Sequence, residues 1–217
     1  MKVIITGATG MVGEGVLLEC LQQPDVAEVL LVGRRHYDLA HPKLKELIML
    51  DFLHAAQFRD LLQEYDACFF CAGISSVGMD EATYSRATYD VTIQFAKVLA
   101  EVNPGMVFSY VSGRSTDSTE KGRIMWARVK GKTENDLMKL PFKSVYCFRP
   151  ALMKPLPEQK NVKSLYKVFN PLYPLFRAIG WGCTLREVGQ AMMNTVRTGY
   201  PKHVLEVKDI LALAAGA

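Results

Sequence analysis

Several groups of residues in this chain have the types and spacing to do chemistry. In "VIITGATGMVGEGV", residues 3–16, an apolar run meets a turn with glycines at 7, 10 and 13 and continues into a helical pattern. Glycine weakens strands and helices alike, so three at even spacing where one element meets the other need a reason. Phosphate binding supplies one. The first glycine makes the tight turn, the second lets backbone approach a pyrophosphate, and the third lets helix and strand pack closely, with the phosphate on the free N–H groups of the helix start. Gly7, Gly10 and Gly13 can fill these roles, with Thr9, Met11 and Val12 as the intervening contacts. The next strand-like run ends "VLLVGRRHYD". Roughly 20 residues past such glycines an acid would hydrogen-bond a ribose 2′-hydroxyl and an arginine would take a 2′-phosphate. Arg34 and Arg35 stand there, and a phosphate would gain charge-assisted, bidentate bonds from them. NADP(H) is therefore expected over NAD(H). The alternative is a solvated basic turn.

Further candidates follow at successive strand ends: Asp51 and Phe52 after "LIML", then Cys71, Ala72 and Gly73 in "FFCAG". Each alone could be packing, but ligands of parallel α/β sheets bind outside the carboxyl ends of the strands, so their order carries weight. Beyond them come Ser112 after "VFSYV", Trp126 and Lys130, and Arg149 with Pro150 in "YCFRPALM". Trp126 and Lys130 are four residues apart and share a helix face.

Elements able to position these residues are legible in the apolar runs. Strands are expected near 2–6, 27–32, 46–50, 66–71, 105–111 and 144–148, with helical patterns near 11–22, 54–63, 80–102 and 121–140. Short, uniformly apolar strands alternating with helices predict a doubly wound parallel sheet of Rossmann type, buried on both faces. After Pro150 the alternation gives way to a proline-rich stretch, followed by a helix near 184–198, a short strand and a terminal helix. Residues 1–150 are thus expected to bind the dinucleotide. Residues 151–217 are expected to form a small substrate cap, with the last strand and helix completing the same domain.

The G-x-x-G-x-x-G spacing of "TGATGMVG" resembles that of extended and atypical short-chain dehydrogenase/reductases, and the resemblance runs from residue 2 to about Pro155. It implies that Asp51 lies beside the adenine and that "CAGIS" is the Ala-Gly turn beneath the cofactor. It also implies that Ser112 is the serine that hydrogen-bonds a substrate carbonyl. "WARVKGKTE" resembles the family's Y-x-x-x-K helix, with Lys130 as the lysine, and Arg149–Pro150 the Arg-Pro near the nicotinamide. "VSGRSTD", "VKGKTEND" and "FRP" together most resemble the atypical group that includes the mammalian Tat-interacting-protein oxidoreductases.

The resemblance implies hydride transfer to or from a carbonyl carbon, with a tyrosine as general acid/base and the lysine lowering its pKa while holding the nicotinamide ribose. Trp126 occupies the tyrosine's place, and no tyrosine occurs from residue 111 to 145. An indole N–H donates a hydrogen bond but offers no exchangeable acid. Two functions follow. One is an NADPH-dependent reductase whose proton comes from a water on Ser112 or from Tyr84, Tyr89 or Tyr173. The other is a non-catalytic NADP(H)-binding sensor or regulator, with Trp126 filling the pocket.

Composition narrows the partners. A net charge of +4, from 26 basic and 22 acidic residues, with no dense basic stripe, argues against nucleic acid. No apolar stretch reaches the ~20 residues of a membrane span, and the sequence opens directly on a strand rather than a leader. Five scattered cysteines read as reduced packing residues in a cytoplasmic protein; Cys68 and Cys71, three apart in a strand, should face opposite sides of the sheet. The four histidines have no metal-site spacing. A carbonyl or alcohol substrate is expected, hydrophobic if it meets Tyr166, Phe169, Tyr173, Phe176 and Trp181, and the protein is expected to be a monomer or homodimer. "STEKGR", 118–123, reads as a mobile or plainly solvated loop.

Overall fold

The computed structural model describes residues 1–162 and 172–216. Seven strands form one sheet: β1 (Lys2–Thr6), β2 (Glu28–Gly33), β3 (Leu44–Ile48), β4 (Ala67–Phe70), β5 (Val107–Val111), β6 (Ser144–Arg149) and β9 (Val204–Glu206). Their order is β3-β2-β1-β4-β5-β6-β9 and every pairing is parallel. The doubly wound sheet expected from the alternation is therefore present, with the order reversing beside β1 and β4. Outside the carboxyl ends of these two strands such a sheet opens a crevice.

Both faces are covered because each central strand sends alternate residues to opposite cores. Val3 and Ile5 pack with α1 (Met11–Gln22), α6 (Leu185–Arg197) and α7 (Val207–Ala214) through Val16, Leu17, Val188, Met192 and Ile210. Ile4, Cys68 and Phe70 face the other way, against α3 (Val91–Val102) and α4 (Met125–Leu137) through Phe95, Leu99 and Leu137. Cys68 and Cys71 do fall on opposite sides, and burial pushes the Cys71 thiol up to about 12.

Three elements depart from the periodicity. The 54–63 pattern is a 3₁₀ segment, Phe52–Leu61, kinked at His54 and Phe58 and capped by Asp51, whose carboxylate accepts from Leu53 N at 2.9 Å. The long 80–102 helix is divided into α2 (Glu81–Ser85), a π turn at Arg86–Asp90 and α3. At that turn Thr92 Oγ1 donates to Thr88 O at 2.6 Å, a back-bond that competes with the main-chain ladder. The 121–140 helix starts only at Met125, and the exposed loop before it is hydrogen-bonded within itself and to α4. Asp117 accepts from Thr119 N and Gly122 N, Asn135 Nδ2 donates to Ser118 O at 3.0 Å, and Arg128 Nη1 donates to Gly122 O at 2.6 Å. Gly131 admits this loop: a Cβ there would lie 1.8 Å from Asp117 O.

Past Pro150, β7 (Leu152–Lys154) and β8 (Gly182–Thr184) form a separate two-stranded ribbon that the proline-rich sequence hid. Between them α5 (Tyr173–Ala178) has no buried residue among those described.

Candidate coenzyme-binding site

The glycine turn is built as its spacing demands. Gly7 sits at φ +74°, and a Cβ there would come within 2.7 Å of Ala72 N, so both conformation and space require glycine. A Cβ on Gly13 would lie 2.3 Å from Gly7 O, so the third glycine lets α1 press against the turn. Gly10 is the N-cap of α1 with no side-chain cap, and its own N–H bonds Gly7 O at 2.9 Å. The first-turn amides of α1 are thereby left to an anion. The facing turn is held by Thr6, whose Oγ1 accepts from Ala72 N at 3.1 Å.

These pieces line a cavity of about 550 Å³ at the carboxyl ends of β1, β2 and β4. The cavity brings together Gly7, Thr9 and Gly10, Arg34 and Arg35, Asp51 and Phe52, and Cys71, Ala72 and Gly73. Met11 and Gly13 are buried in α1 and, with Val12, lie behind the turn rather than on the cavity wall. Phe52 closes the floor, its ring stacked on Phe95 at 4.9 Å. Sequence reasoning missed Tyr37, Glu46 and the π-turn residues Ala87 and Thr88, all lining the same cavity. Glu46 accepts from Tyr37 N at 2.8 Å and meets His36 Nδ1 at 2.8 Å, which fixes the loop carrying the two arginines. The alternation of β3 placed that acid on a strand but could not show which loop it faced.

Of the remaining candidates, Ser112, Lys130 and Arg149 meet at a second locus, between β5, β6 and α4, off the cavity wall. Lys130 Nζ donates to Ser112 O at 2.6 Å and approaches Val111 O at 3.4 Å; burial lowers its pKa to about 8, against an opposing pull from Glu134. The Ser112 hydroxyl is turned inward, 2.5 Å from Glu134 Oε1 and 3.1 Å from Phe148 O. Glu134 is fully buried and is held by Arg149, which bonds both its carboxylate oxygens. The Arg149 guanidinium, expected near a nicotinamide, is thus spent on Glu134, on Ser118 Oγ at 2.6 Å and on Glu206 at 3.6 Å. Pro150 is buried, and its carbonyl takes Arg114 N at 3.0 Å. Trp126 is half-buried on the first turn of α4.

The outlying tyrosines are placed as follows. Tyr84 is 2% exposed within the core, and Tyr89 Oη donates to Asp136 at 2.7 Å. Tyr173 carries Lys154 over its ring at 5.5 Å, and its hydroxyl is buried without a partner among the described residues. Phe176 is half-buried, and Trp181 is exposed under the Arg114 guanidinium at 4.1 Å. Tyr166 and Phe169 lie outside the described residues. No group of three or more His, Cys, Asp or Glu among the described residues could hold a metal ion, and no described helix is long and apolar enough to cross a membrane.

A parallel sheet with a glycine turn, an uncapped helix start and a cavity at the strand-order reversal defines a nucleotide-binding Rossmann-type protein. The chain belongs to the NAD dependent epimerase/dehydratase family, whose pattern it matches over residues 3–120. Protein HTATIP2 of Rattus norvegicus is 27% identical over 217 aligned positions, spanning 98% of this chain and 88% of that one. The mitochondrial protein fmp52-1 of Aspergillus terreus is 25% identical over 74% of this chain and 70% of its own. Among solved structures, the Bordetella bronchiseptica enzyme WbmG in complex with NAD superposes with a TM-score of 0.69 at 13% identity. That match covers 100% of this chain and 77% of WbmG and bears on the fold alone. The resemblance to atypical short-chain dehydrogenase/reductases thus holds, and the chain stands with the oxidoreductases of that superfamily.

Proposed function

We propose that the protein is an NADP(H)-dependent oxidoreductase acting on a small carbonyl or alcohol substrate. The observation that carries this is one continuous cavity joining the Gly7–Gly10 turn to Arg34 and Arg35. The glycine turn and the α1 start fit a diphosphate, Asp51 and Phe52 fit the adenosine, and the two exposed guanidinium groups fit a 2′-phosphate rather than a bare ribose. When bound, the nicotinamide supplies hydride exchange with a carbonyl carbon. Lys130 has one N–H beyond the two facing carbonyls and can hold a ribose hydroxyl. Ser112 acts through its backbone carbonyl, which positions the Lys130 ammonium, because its hydroxyl belongs to Glu134. The proton then comes from water or from a tyrosine outside the motif. Residues after Pro150 are assigned as the substrate cap, with Tyr173, Phe176 and Trp181 giving it an apolar character, and the protein as a cytoplasmic monomer or homodimer.

The test is a fluorescence titration with NADPH, NADP⁺ and NADH, then NADPH consumption over a panel of aldehydes and ketones. Replacing both Arg34 and Arg35 by Ala should weaken NADPH by about 10- to 100-fold, a loss that grows smaller at high salt, while leaving NADH nearly unchanged. Equal losses for both coenzymes would sink the NADP assignment. A second function, an NADP(H)-binding sensor without turnover, is favoured by Trp126 in the acid's position and by the inward Ser112 hydroxyl. It requires different affinities for NADP⁺ and NADPH, since a ligand with equal affinity for two states shifts neither.

A further inference from the structure

Glu14, in the first turn of α1, is 0% exposed, and no Lys, Arg or His pairs with it among the described residues. Neutral donors from two parts of the chain surround it instead. Tyr37 Oη donates to Oε1 at 2.9 Å from the dibasic loop. From the other side, Lys160 N donates to Oε1 at 3.0 Å, Asn161 N to Oε2 at 2.8 Å and Asn161 Nδ2 to Oε1 at 3.1 Å. Gln159 Nε2 adds a longer contact at 3.4 Å and donates to Met11 O at 2.7 Å. Gly15 lets α1 press against Leu185, where a Cβ would lie 2.7 Å from Leu185 Cβ, and the same Cβ would stand 3.2 Å from Gln159 Oε1.

An acceptor-only group that collects this many donors is a carboxylate, and burying one without a cation is tolerable only while its lone pairs are filled. Burial, then the Glu14 hydrogen bond, push the Tyr37 phenol's pKa upward, so it remains a donor. Tyr37 also lines the coenzyme cavity, and its backbone N–H is pinned by Glu46. We infer that Tyr37 is a positioning residue for the 2′-phosphate loop, and that Glu14 couples this loop to the Leu156–Asn161 strap leading into the C-terminal cap.

The sign of the coupling follows from the shared carboxylate. With the loop ordered, the Tyr37 hydroxyl is in place and closing the strap over Glu14 leaves fewer lone pairs empty. With the loop loose, the same closure buries an under-satisfied charge. A ligand that orders the loop therefore tightens the strap, and the strap in turn favours that ligand by the same factor. The inference rests on the NADP(H) assignment, because only a 2′-phosphate would engage Arg34 and Arg35.

Amide exchange at Lys160 and Asn161, with NADP⁺ or NAD⁺ at saturation, tests it without any turnover. NADP⁺ should slow exchange about fivefold more than NAD⁺. Tyr37→Phe should erase that difference and lower the ratio of NADP⁺ to NAD⁺ affinity, while Glu14→Gln should speed strap exchange even without coenzyme. A Tyr37→Phe protein that keeps both the affinity ratio and the exchange difference would overturn the inference and leave the NADP(H) assignment standing. A wild-type protein with no preference for NADP⁺, or one whose preference survives loss of both arginines, would overturn the two together.

Discussion

The coenzyme end and the locus around Ser112 are assembled from opposite materials. At the first, backbone and absent side chains do the shaping: Gly7 and Gly13 clear space, Gly10 leaves amides uncapped, and the cations Arg34 and Arg35 stay in solvent. At the second, side chains fill everything: Glu134 and Arg149 bury their charges against each other and draw in the Ser112 hydroxyl. A site that must admit an anion keeps donors unpaired. A site whose donors are already paired holds a framework in place. The contrast teaches that the open cavity and the Ser112 hydroxyl have separated here, although both sit on neighbouring strand ends.

The widest break in that contrast comes from the buried pair. Glu134→Gln removes the buried charge that Arg149 faces and leaves the guanidinium only Ser118 Oγ and the longer, exposed Glu206 contact. The expected loss is about 3 to 5 kcal/mol of folding stability, measured by urea denaturation. Replacing both members by Met should return most of it, because two apolar side chains no longer carry a desolvation cost. If the single and double variants lose the same amount, the pair is not the framework described here.

Lys130 gives the next effect, and it depends on pH. Its pKa falls from 10.5 in the open chain to about 8 in the fold. Between those values the unfolded chain binds more protons, so this group makes stability rise with pH. Below about pH 8 the fold carries the full cost of a buried ammonium, about 3 kcal/mol from the size of the shift. Lys130→Met should therefore be more stable than wild type at pH 7, with the advantage shrinking toward zero as pH passes 10.5. A difference that does not change with pH would show that the Ser112 and Val111 carbonyls offset the burial.

Much of this organisation was legible beforehand, for identifiable reasons. Strand–helix alternation reports burial on two faces, and the glycine turn is a local backbone requirement written in three residues. Arg34 and Arg35 were visible because they follow a strand end at fixed distance from the glycines. What stayed hidden depends on contacts distant in sequence. Arg149 was expected beside the nicotinamide, yet its partner Glu134 sits on another element, and no local pattern says that one buried charge will claim another. Glu14 resembled any acid in a first helical turn until residues 159–161 closed over it. The π turn at Arg86–Asp90 and the β7–β8 ribbon were hidden similarly, one by a side chain bonding its own backbone and the other by prolines that masked a three-residue pairing.

The smallest structural effect gives the sharpest comparison within the turn itself. A Cβ on Gly10 would stand 3.4 Å from Gly7 O, an ordinary contact, and its φ of −113° and ψ of 160° suit any residue. Gly10→Ala should therefore cost only about 0.5 to 1 kcal/mol of thermal stability, the N-cap preference for glycine over alanine. Its methyl group would nonetheless occupy the ground that a pyrophosphate must approach, so NADPH affinity should fall about tenfold or more, read by fluorescence titration, with NADH falling equally. The equal loss matters: the proposed function puts Gly10 on the diphosphate common to both coenzymes, and Arg34 and Arg35 only on what distinguishes them. If Gly10→Ala binds NADPH as wild type does, the diphosphate does not lie on the α1 start, and the cavity serves a smaller anion held by the arginines alone.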